Sequence, residues 1–277
     1  MSTQYRFNSL EDYLTSSRLD INGILNDGWG TKFPVKGREI YAVILFCDIA
    51  NFSGRTYDLS PVETLIYVNN FFAWISSEAL QGRPAIIDKY IGDEIMVLFS
   101  KEFGSSDPFV DAINTARFMA EHDVFCYGPH IGISAGNVVV GYVGTPLKYS
   151  CSVFGRPVAI AARCASVKCD ECISSSITLP AELWAGRDIT KLFEPVKINK
   201  PDGSFLKQEM MWRTLAPRVV PLKNMPDLEI QEIVNDVVHL STTSAEQRAV
   251  YSAKALMDEG SYKIHRYEYE EDLLNDQ

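Results

Sequence analysis

Two aspartates occupy matching positions in this sequence, each where an apolar run ends in a turn. Asp48 follows the apolar run 40–47, and Asp93 lies in a Gly-Asp step between two further apolar segments. If these segments are neighbouring strands, the two carboxylates converge at one edge of a sheet. Carboxylate oxygens hold the divalent cations that serve phosphoryl chemistry. The pattern therefore predicts a metal site, although each aspartate alone is also typical of a turn or a helix cap.

The elements around these aspartates predict a layered fold. A buried strand over 40–49 is followed by a helix, whose start carries the capping-box residues Ser60 and Glu63 around Pro61. Hairpins are predicted around Gly92-Asp93 and around Gly136-Asn137, with further helices over 107–121 and 157–168. This order predicts an α+β sandwich with helices packed on a mainly antiparallel sheet.

Composition limits the class of protein. The chain has 277 residues, 46% of them hydrophobic, which is enough for one large domain. Its apolar runs are far shorter than the ~20 residues of a membrane-spanning helix, and the N-terminal segment from Met1 to Leu10 is mainly polar. The formal charge of -10 argues against general nucleic-acid binding. We therefore expect a cytoplasmic protein that binds neither membrane nor nucleic acid.

The six cysteines show no regular disulfide spacing and are interpreted as reduced thiols. Cys169 and Cys172 form one CxxC pair, but no second pair accompanies it and the four histidines lie far away in sequence. A zinc or redox role for this pair is the weaker interpretation, because a structural zinc site needs four ligands.

Four motifs follow one another along the chain. They are Phe-Cys-Asp-Ile-x-x-Phe-Ser over 46–53, Lys-x-x-Gly-Asp over 89–93, His-Ile-Gly-Ile-x-x-Gly over 130–136, and Phe-Gly-x-x-Val-x-x-Ala-x-Arg over 154–163. In this order they resemble the class III nucleotidyl cyclase domain, whose fold is a ferredoxin-like sandwich. The details resemble the bacterial pyrimidine cyclases of anti-phage, Pycsar-type signalling systems, which make cyclic UMP or cyclic CMP.

The resemblance divides the chain into three parts. Residues 1–37 are a lead-in that packs on the domain, 38–216 are the catalytic domain, and 217–277 are an acidic extension. The extension carries a predicted helix over about 244–258, which would act as an internal brace or as a dimer contact.

The resemblance also implies roles at the first two motifs. Asp48 and Asp93 would hold two divalent cations, Mn²⁺ or Mg²⁺, with the Ile49 backbone carbonyl as a further ligand. Phe52 and Ser53 would offer backbone amides to the substrate phosphates, as turns and helix starts commonly do. An ordinary tight turn remains the alternative for these two residues.

Three further positions are implied to read the base and stabilise the transition state. Lys89 occupies the first base-reading position, where lysine goes with adenine and glutamate with guanine. Ser152 occupies the second, where adenylate cyclases often have Asp or Thr and guanylate cyclases have Cys. Arg163 matches the arginine that stabilises charge on the reacting phosphorus, a task suited to a planar and always charged guanidinium. A solvated surface arginine is the alternative. Ala159 departs from the family, which has a ribose-positioning asparagine there.

The family's triphosphate-gripping lysine is assigned to Lys200, although Lys197 and Lys207 are alternatives and a solvated lysine is equally compatible. In this family the metal ligands of one protomer face the base-reading and arginine positions of another. The resemblance therefore implies a homodimer with composite sites.

The leading hypothesis is a uridylate cyclase that makes cyclic UMP for anti-phage defence, sensed by a separate effector. A cytidylate or adenylate cyclase is the alternative, and a catalytically weak nucleotide-binding module is favoured only by Ala159. A diguanylate cyclase is disfavoured, because its signature hairpin is incomplete around Gly92.

Overall fold

The structure is a computed structural model that describes residues 5–23, 35–123, 127–145, 147–169, 175–199, 204–222 and 225–235. The strands are β1 (Ile21–Gly23), β2 (Val35–Asp48), β3 (Ala85–Ile91), β4 (Glu94–Phe99), β5 (His130–Thr145), β6 (Lys148–Phe154), β7 (Ser176–Pro180), β8 (Val196–Asn199), β9 (Phe205–Glu209), β10 (Trp212–Thr214), β11 (Arg218–Val220) and β12 (Leu228–Asn235). The helices are α1 (Leu10–Thr15), α2 (Phe52–Thr56), α3 (Pro61–Trp74), α4 (Pro108–Glu121), α5 (Arg156–Ala165), α6 (Ala181–Trp184) and α7 (Ile189–Leu192). A π-helical turn, Ile75–Ala79, extends α3, and a 3-10 turn covers Lys101–Phe103.

One large sheet organises the described residues. Its strands follow the order β10-β12-β7-β5-β2-β4-β3, with β1, β6 and β11 paired at its margins. Of these pairs only β5 with β7 is parallel, and β8 and β9 form a separate two-stranded sheet. The predicted α+β sandwich with a mainly antiparallel sheet is confirmed.

Strand β2 lies at the centre of the sheet and is buried on both faces. Val43, Leu45 and Cys47 point into one core, while Ile44 and Phe46 belong to the core on the other face. Burial on both faces explains why this strand is a continuous apolar run rather than an alternating one.

The first core lies under α3 and α4. The capping box predicted for α3 is confirmed, because Glu63 N donates to Ser60 Oγ at 3.3 Å and Ser60 N donates to the Glu63 carboxylate at 2.8 Å. Phe71 from α3 and Ile113 from α4 are fully buried against the sheet. These helices cover the face opposite α5.

The predicted hairpin around Gly136-Asn137 is wrong. These residues lie inside β5, which runs unbroken for 16 residues and pairs with β2 from Lys36↔Tyr142 to Asp48↔His130. Fourteen residues of β2 are long enough to pair with both halves of β5, so no turn is needed. Gly136 instead leaves room for α5, since a Cβ there would lie 2.9 Å from the Pro157 ring.

Helix α5 packs on β5 at unusually close range. A Cβ on Gly132 would lie 2.1 Å from the Ala161 carbonyl oxygen and 2.2 Å from the Ala165 amide nitrogen. Only glycine permits this approach, and the approach fixes the position of the helix that carries Arg163. On the same face, α1 buries Leu10 and Leu14 in the second core.

The sheet continues past residue 216, where the sequence analysis ends the catalytic domain. Strand β12 pairs with β7 over Ile230↔Pro180 to Val234↔Ser176, and Ile230 and Ile233 are fully buried. Residues 218–235 are therefore part of the sheet, while the helix predicted over 244–258 lies outside the described residues. No helix in the described ranges is both long enough and apolar enough to cross a membrane.

Candidate active site

The fold brings the two predicted aspartates together. Asp48 is the last residue of β2, and Asp93 lies in the tight turn between β3 and β4. Strands β2 and β4 are paired up to Cys47↔Ile95, which places the end of one strand beside the turn that begins the other. The Ile49 backbone amide donates to the Asp93 carboxylate, so the segment after β2 is tied to the turn.

Burial and like charge make Asp48 an unusual carboxylate. Burial, the neighbouring Asp93 and then Glu94 raise the pKa of Asp48 from its ordinary 3.8 to about 7. Hydrogen bonds from the backbone amides of Asp48 and His130 act in the opposite direction and do not offset this effect. Burial also raises the pKa values of Asp93 and Glu94. The site therefore concentrates negative charge in a place where water does little to screen it.

One oxygen of Asp48 is sealed from solvent without a hydrogen bond. Asp48 Oδ1 has no hydrogen-bond partner among the described residues, although the side chain as a whole keeps 22% of its surface exposed. His130 Nδ1 lies 3.6 Å from this oxygen, but burial, Arg55 and Lys168 lower the pKa of His130. A neutral imidazole does not compensate the carboxylate near neutral pH.

These residues fit a divalent cation. Asp48, Ile49 and Asp93 line a cavity of about 320 Å³, whose other lining residues are Asn51, Phe52, Ser53, His130, Ala165, Ser166 and Lys168. In the described ranges no three His, Cys, Asp or Glu side chains form a metal-ligand group. Two carboxylates and a carbonyl would leave several positions of an octahedral ion for phosphate oxygens and water, which is how Mg²⁺ is usually bound beside a nucleotide.

The predicted phosphate-contacting residues share this cavity. Phe52 and Ser53 begin the short helix α2, directly after Asn51, whose φ of 52° lies in the left-handed region. This turn brings the chain back toward the carboxylates, and both residues line the cavity beside Asp48.

The two predicted base-reading residues contact each other, although 63 positions separate them. Lys89 lies on β3, and its Nζ donates to Ser152 Oγ on β6. Asp88 completes the group, with Oδ2 at 3.1 Å from Lys89 Nζ and at 3.1 Å from Ser152 Oγ. None of these three residues lines the cavity of Asp48 and Asp93.

Arg163 also lies outside that cavity. It is exposed on α5 and lines a neighbouring cavity of about 330 Å³ together with Lys168 and Arg218. The positive charge of Arg163 lowers the pKa of Glu94, but this effect is smaller than the increase caused by burial. Ala159, where the family has asparagine, is exposed on the same helix.

Three lysines are candidates for binding the triphosphate. Lys200 lies outside the described residues, while the alternatives Lys197 and Lys207 lie in the paired strands β8 and β9. Ile198 is opposite Lys207 in this pair. The choice among the three lysines stays a prediction.

Sequence analysis missed several residues of the site. His130 and Lys168 line the carboxylate cavity, and Asp88 supports the base-reading pair. His130 belongs to a motif that the sequence analysis identified, but its place beside Asp48 follows from the register of β2 with β5. Lys168 carried no signal, because a lysine near the end of a helix is usually solvated.

Together, the sheet and the paired aspartates define a class III nucleotidyl cyclase catalytic domain. Residues 37–183 match the family described as "Adenylate and Guanylate cyclase catalytic domain", which is more than half of the chain. The chain belongs to this family.

The chain is also similar to curated proteins. An adenylate cyclase of Anabaena cylindrica is 32% identical over 132 residues, which are 43% of this chain and 26% of the relative. An uncharacterised protein of Mycobacterium tuberculosis is 30% identical over 130 residues, 46% of this chain and 23% of the relative. The match thus spans about a quarter of each of these relatives.

Solved structures share the fold. The adenylyl cyclase CyaB from P. aeruginosa has a TM-score of 0.54 at 18% identity, covering 74% of this chain and 99% of CyaB. The guanylyl cyclase Cya2 has a TM-score of 0.52 at 21% identity, covering 76% of this chain and 98% of Cya2.

Divalent cations are expected to stabilise the protein more at high pH than at low pH. The raised pKa means that folded Asp48 binds its proton more tightly than unfolded Asp48. The resulting contribution to the free energy of unfolding is lost as pH rises from about 4 to about 7, where the buried carboxylate becomes charged. A bound cation offsets the cost of burying this charge. Thermal denaturation with and without Mn²⁺ should show a larger stabilisation near pH 8 than near pH 5.5. Asp48→Asn should lose most of this difference, and equal stabilisation at both pH values in the unmodified protein would contradict it.

Proposed function

We propose that this chain is a uridylate cyclase that converts UTP to 3',5'-cyclic UMP and pyrophosphate. The observation that carries cyclisation is the convergence of Asp48 and Asp93 at one cavity in a chain of the cyclase family. The pyrimidine assignment is supported by the resemblance of the whole chain to the anti-phage pyrimidine cyclases. It is also supported by the Lys89 and Ser152 pair, because the lysine disfavours guanine and the short serine departs from the usual purine patterns.

In the reaction, the ribose 3'-oxygen attacks the α-phosphorus. A bond forms between them, the bond from the α-phosphorus to the oxygen bridging to the β-phosphorus breaks, and pyrophosphate leaves with that electron pair. The proton of the 3'-hydroxyl passes to solvent. Asp48, Asp93 and the Ile49 carbonyl would hold two divalent cations, which supply the charge that acidifies the hydroxyl and neutralises the triphosphate.

The protein's own groups do the remaining work. Phe52 and Ser53 would place backbone amides against phosphate oxygens, and Lys200 or one of its alternatives would grip the triphosphate. Arg163 would stabilise the extra negative charge on the pentacovalent phosphorus through its planar set of donors. Lys89 and Ser152 would hydrogen-bond the edge of the base.

We further propose that the working unit is a homodimer with composite sites. Lys89, Ser152 and Arg163 lie outside the carboxylate cavity of their own chain, so a second copy would supply them. Tyr90 and Ile91, which precede the turn of Asp93, leave 51% and 47% of their surfaces exposed. Apolar side chains this exposed beside a site are suited to contact with another chain.

An adenylate cyclase is the second candidate. Lys89 is the residue that goes with adenine in the family, and the Anabaena cylindrica relative is named an adenylate cyclase. A cytidylate cyclase differs from the leading proposal only at the base edge. The biological part of the proposal is a cytoplasmic cyclase whose product is a second messenger in anti-phage defence, sensed by a separate effector.

A product assay tests the substrate. We expect purified protein with Mn²⁺ and each of the four ribonucleoside triphosphates to yield cyclic UMP as the dominant product, identified by mass spectrometry against authentic standards. The Asp48→Asn variant, purified in parallel, controls for contaminating cyclases. Cyclic AMP as the dominant product would overturn the pyrimidine assignment, and absence of any cyclic nucleotide would favour the nucleotide-binding module.

A further inference from the structure

A β-bulge on the edge strand β3 places Asp88 and Lys89 on the same side of the sheet. The pairing with β4 shifts between Ile87↔Val97 and Lys89↔Met96, so Asp88 is the extra residue of the bulge. Neighbouring side chains of a regular strand point to opposite faces, but a bulge re-aims one of them. Here the Asp88 carboxylate comes to lie 3.1 Å from the Lys89 ammonium.

The Asp88 carboxylate is buried behind the side chains that would meet the base. Its side chain is 2% exposed, whereas that of Lys89 is 39% exposed. Ser152 is 7% exposed and joins the same group from β6. Lys89 is therefore accessible from solvent, whereas the Asp88 carboxylate is covered and contacts Lys89 and Ser152.

Hydrogen-bond counting shows what the carboxylate does to its neighbours. A serine hydroxyl has one proton and two lone pairs, and an ammonium has three protons. Ser152 donates its only proton to Asp88 and accepts one from Lys89, so it retains a single lone pair. Lys89 gives one proton to Ser152 and one to Asp88, so it retains a single donor.

The strand that carries Ser152 is held from its other side. The backbone amide of Cys151, the preceding residue, donates to Glu11 Oε1 of helix α1 at 3.1 Å. Leu10 and Leu14 anchor that helix in the second core. The position of Ser152 is thus fixed by packing, and its hydroxyl proton is fixed by Asp88.

We propose that Asp88 is the positioning residue that sets base specificity, by holding Ser152 as an acceptor and Lys89 as a donor. This inference rests on the proposed function, in which Lys89 and Ser152 read the base. The resulting pattern complements uracil when Lys89 faces the O4 carbonyl and Ser152 faces the N3–H. Adenine and cytosine present the reverse order, a donor in place of O4 and an acceptor in place of N3–H, so they do not match the same pair. Asp88 itself does not touch the substrate, so it acts only through the pair.

The variant Asp88→Asn tests this role. An asparagine amide can donate to Ser152, so the serine proton is no longer held by a carboxylate. Ser152 can then present either a donor or an acceptor to the base. We expect about a tenfold rise in KM for the preferred nucleotide, as for the loss of one hydrogen bond to a charged group. The ratio of kcat/KM between the preferred nucleotide and the next should fall by a similar factor, while kcat changes little.

Tripolyphosphate separates a base effect from general damage, because it occupies the phosphate site and has no base. Its inhibition constant should stay within about twofold of the unmodified value in Asp88→Asn, since the phosphate site lies elsewhere. Asp111→Asn is the matched control, because Asp111 also accepts a hydrogen bond from a serine, Ser105, on a different part of the fold. That variant should retain the original KM and selectivity.

The outcomes distinguish this inference from the proposed function. If the unmodified protein prefers another nucleotide, the uridylate assignment fails while Asp88 is tested on that nucleotide. If turnover is absent, calorimetric binding of the four nucleotides provides the same comparison. Unchanged selectivity in a folded Asp88→Asn protein, or a parallel loss of tripolyphosphate affinity, overturns the inference. Should Asp88→Asn not fold, Asp88→Glu keeps the charge but displaces the carboxylate from Ser152 and Lys89. The ratio of kcat/KM between the preferred nucleotide and the next should again fall, and an unchanged ratio overturns the inference.

Discussion

Asp48→Asn is expected to reduce formation of the cyclic nucleotide by about a thousandfold or more. The substitution keeps the size of the side chain but removes the charge that would hold a divalent cation, and such a cation contributes several kcal/mol to phosphoryl transfer. Initial rates measured with the preferred nucleotide and Mn²⁺ check this. Asp188→Asn, on an exposed aspartate that caps α7, should retain the original rate.

The Asp48→Asn variant is expected to be at least as stable as the unmodified protein when no divalent cation is present. Near pH 8, folded Asp48 carries a charge that burial and Asp93 disfavour. An amide in its place removes this penalty and can still accept the hydrogen bond from the His130 amide. Thermal unfolding in EDTA therefore separates lost chemistry from lost structure. Full activity of Asp48→Asn would eliminate the two-carboxylate mechanism.

The strongest sequence predictions were local ones. The capping box of Ser60 and Glu63 uses residues three positions apart, so its signal is contained in the sequence itself. The turn at Gly92-Asp93 is similar, because glycine there adopts a φ of 65° that other residues avoid. Apolar runs that end in such turns made the convergence of two aspartates predictable.

Features that depend on register were not predictable in the same way. The turn expected at Gly136-Asn137 failed because the length of β2, not the local glycine, decides how far β5 continues. The glycine is instead required because a side chain there would contact Pro157, on a helix packed across the sheet, too closely. A Gly-Asn step therefore had two physical explanations, and only the three-dimensional packing separates them.

Asp88 shows the same limit at the site. The sequence places it beside Lys89, where an ordinary strand would point the two side chains to opposite faces. The bulge that reverses this, and the contact with Ser152 across 64 positions, are properties of the folded sheet. The residues proposed to contact the substrate were therefore accessible to motif analysis, whereas Asp88, which is proposed to orient them, was not.

Mixing two inactive variants is expected to restore activity if the sites are composite. Asp93→Asn lacks a proposed metal ligand. Arg163→Ala lacks the arginine proposed to stabilise the transition state, an exposed residue whose removal should leave the fold intact. A mixed dimer then has one site with both groups intact and one with both missing. Equal amounts, mixed and allowed to exchange subunits, should recover up to about a quarter of the original activity, because half of the dimers are mixed and each has one working site.

A second mixture provides the control for this experiment. Asp48→Asn combined with Asp93→Asn should recover nothing, because every site in the mixed dimer draws its metal ligands from a defective chain. Cyclic product is measured in both mixtures after size-exclusion chromatography has shown that each variant forms dimers. Recovery in both mixtures, or in neither, would contradict composite sites. Recovery only with Arg163→Ala would mean that Asp93 and Arg163 serve one site from two copies of the chain.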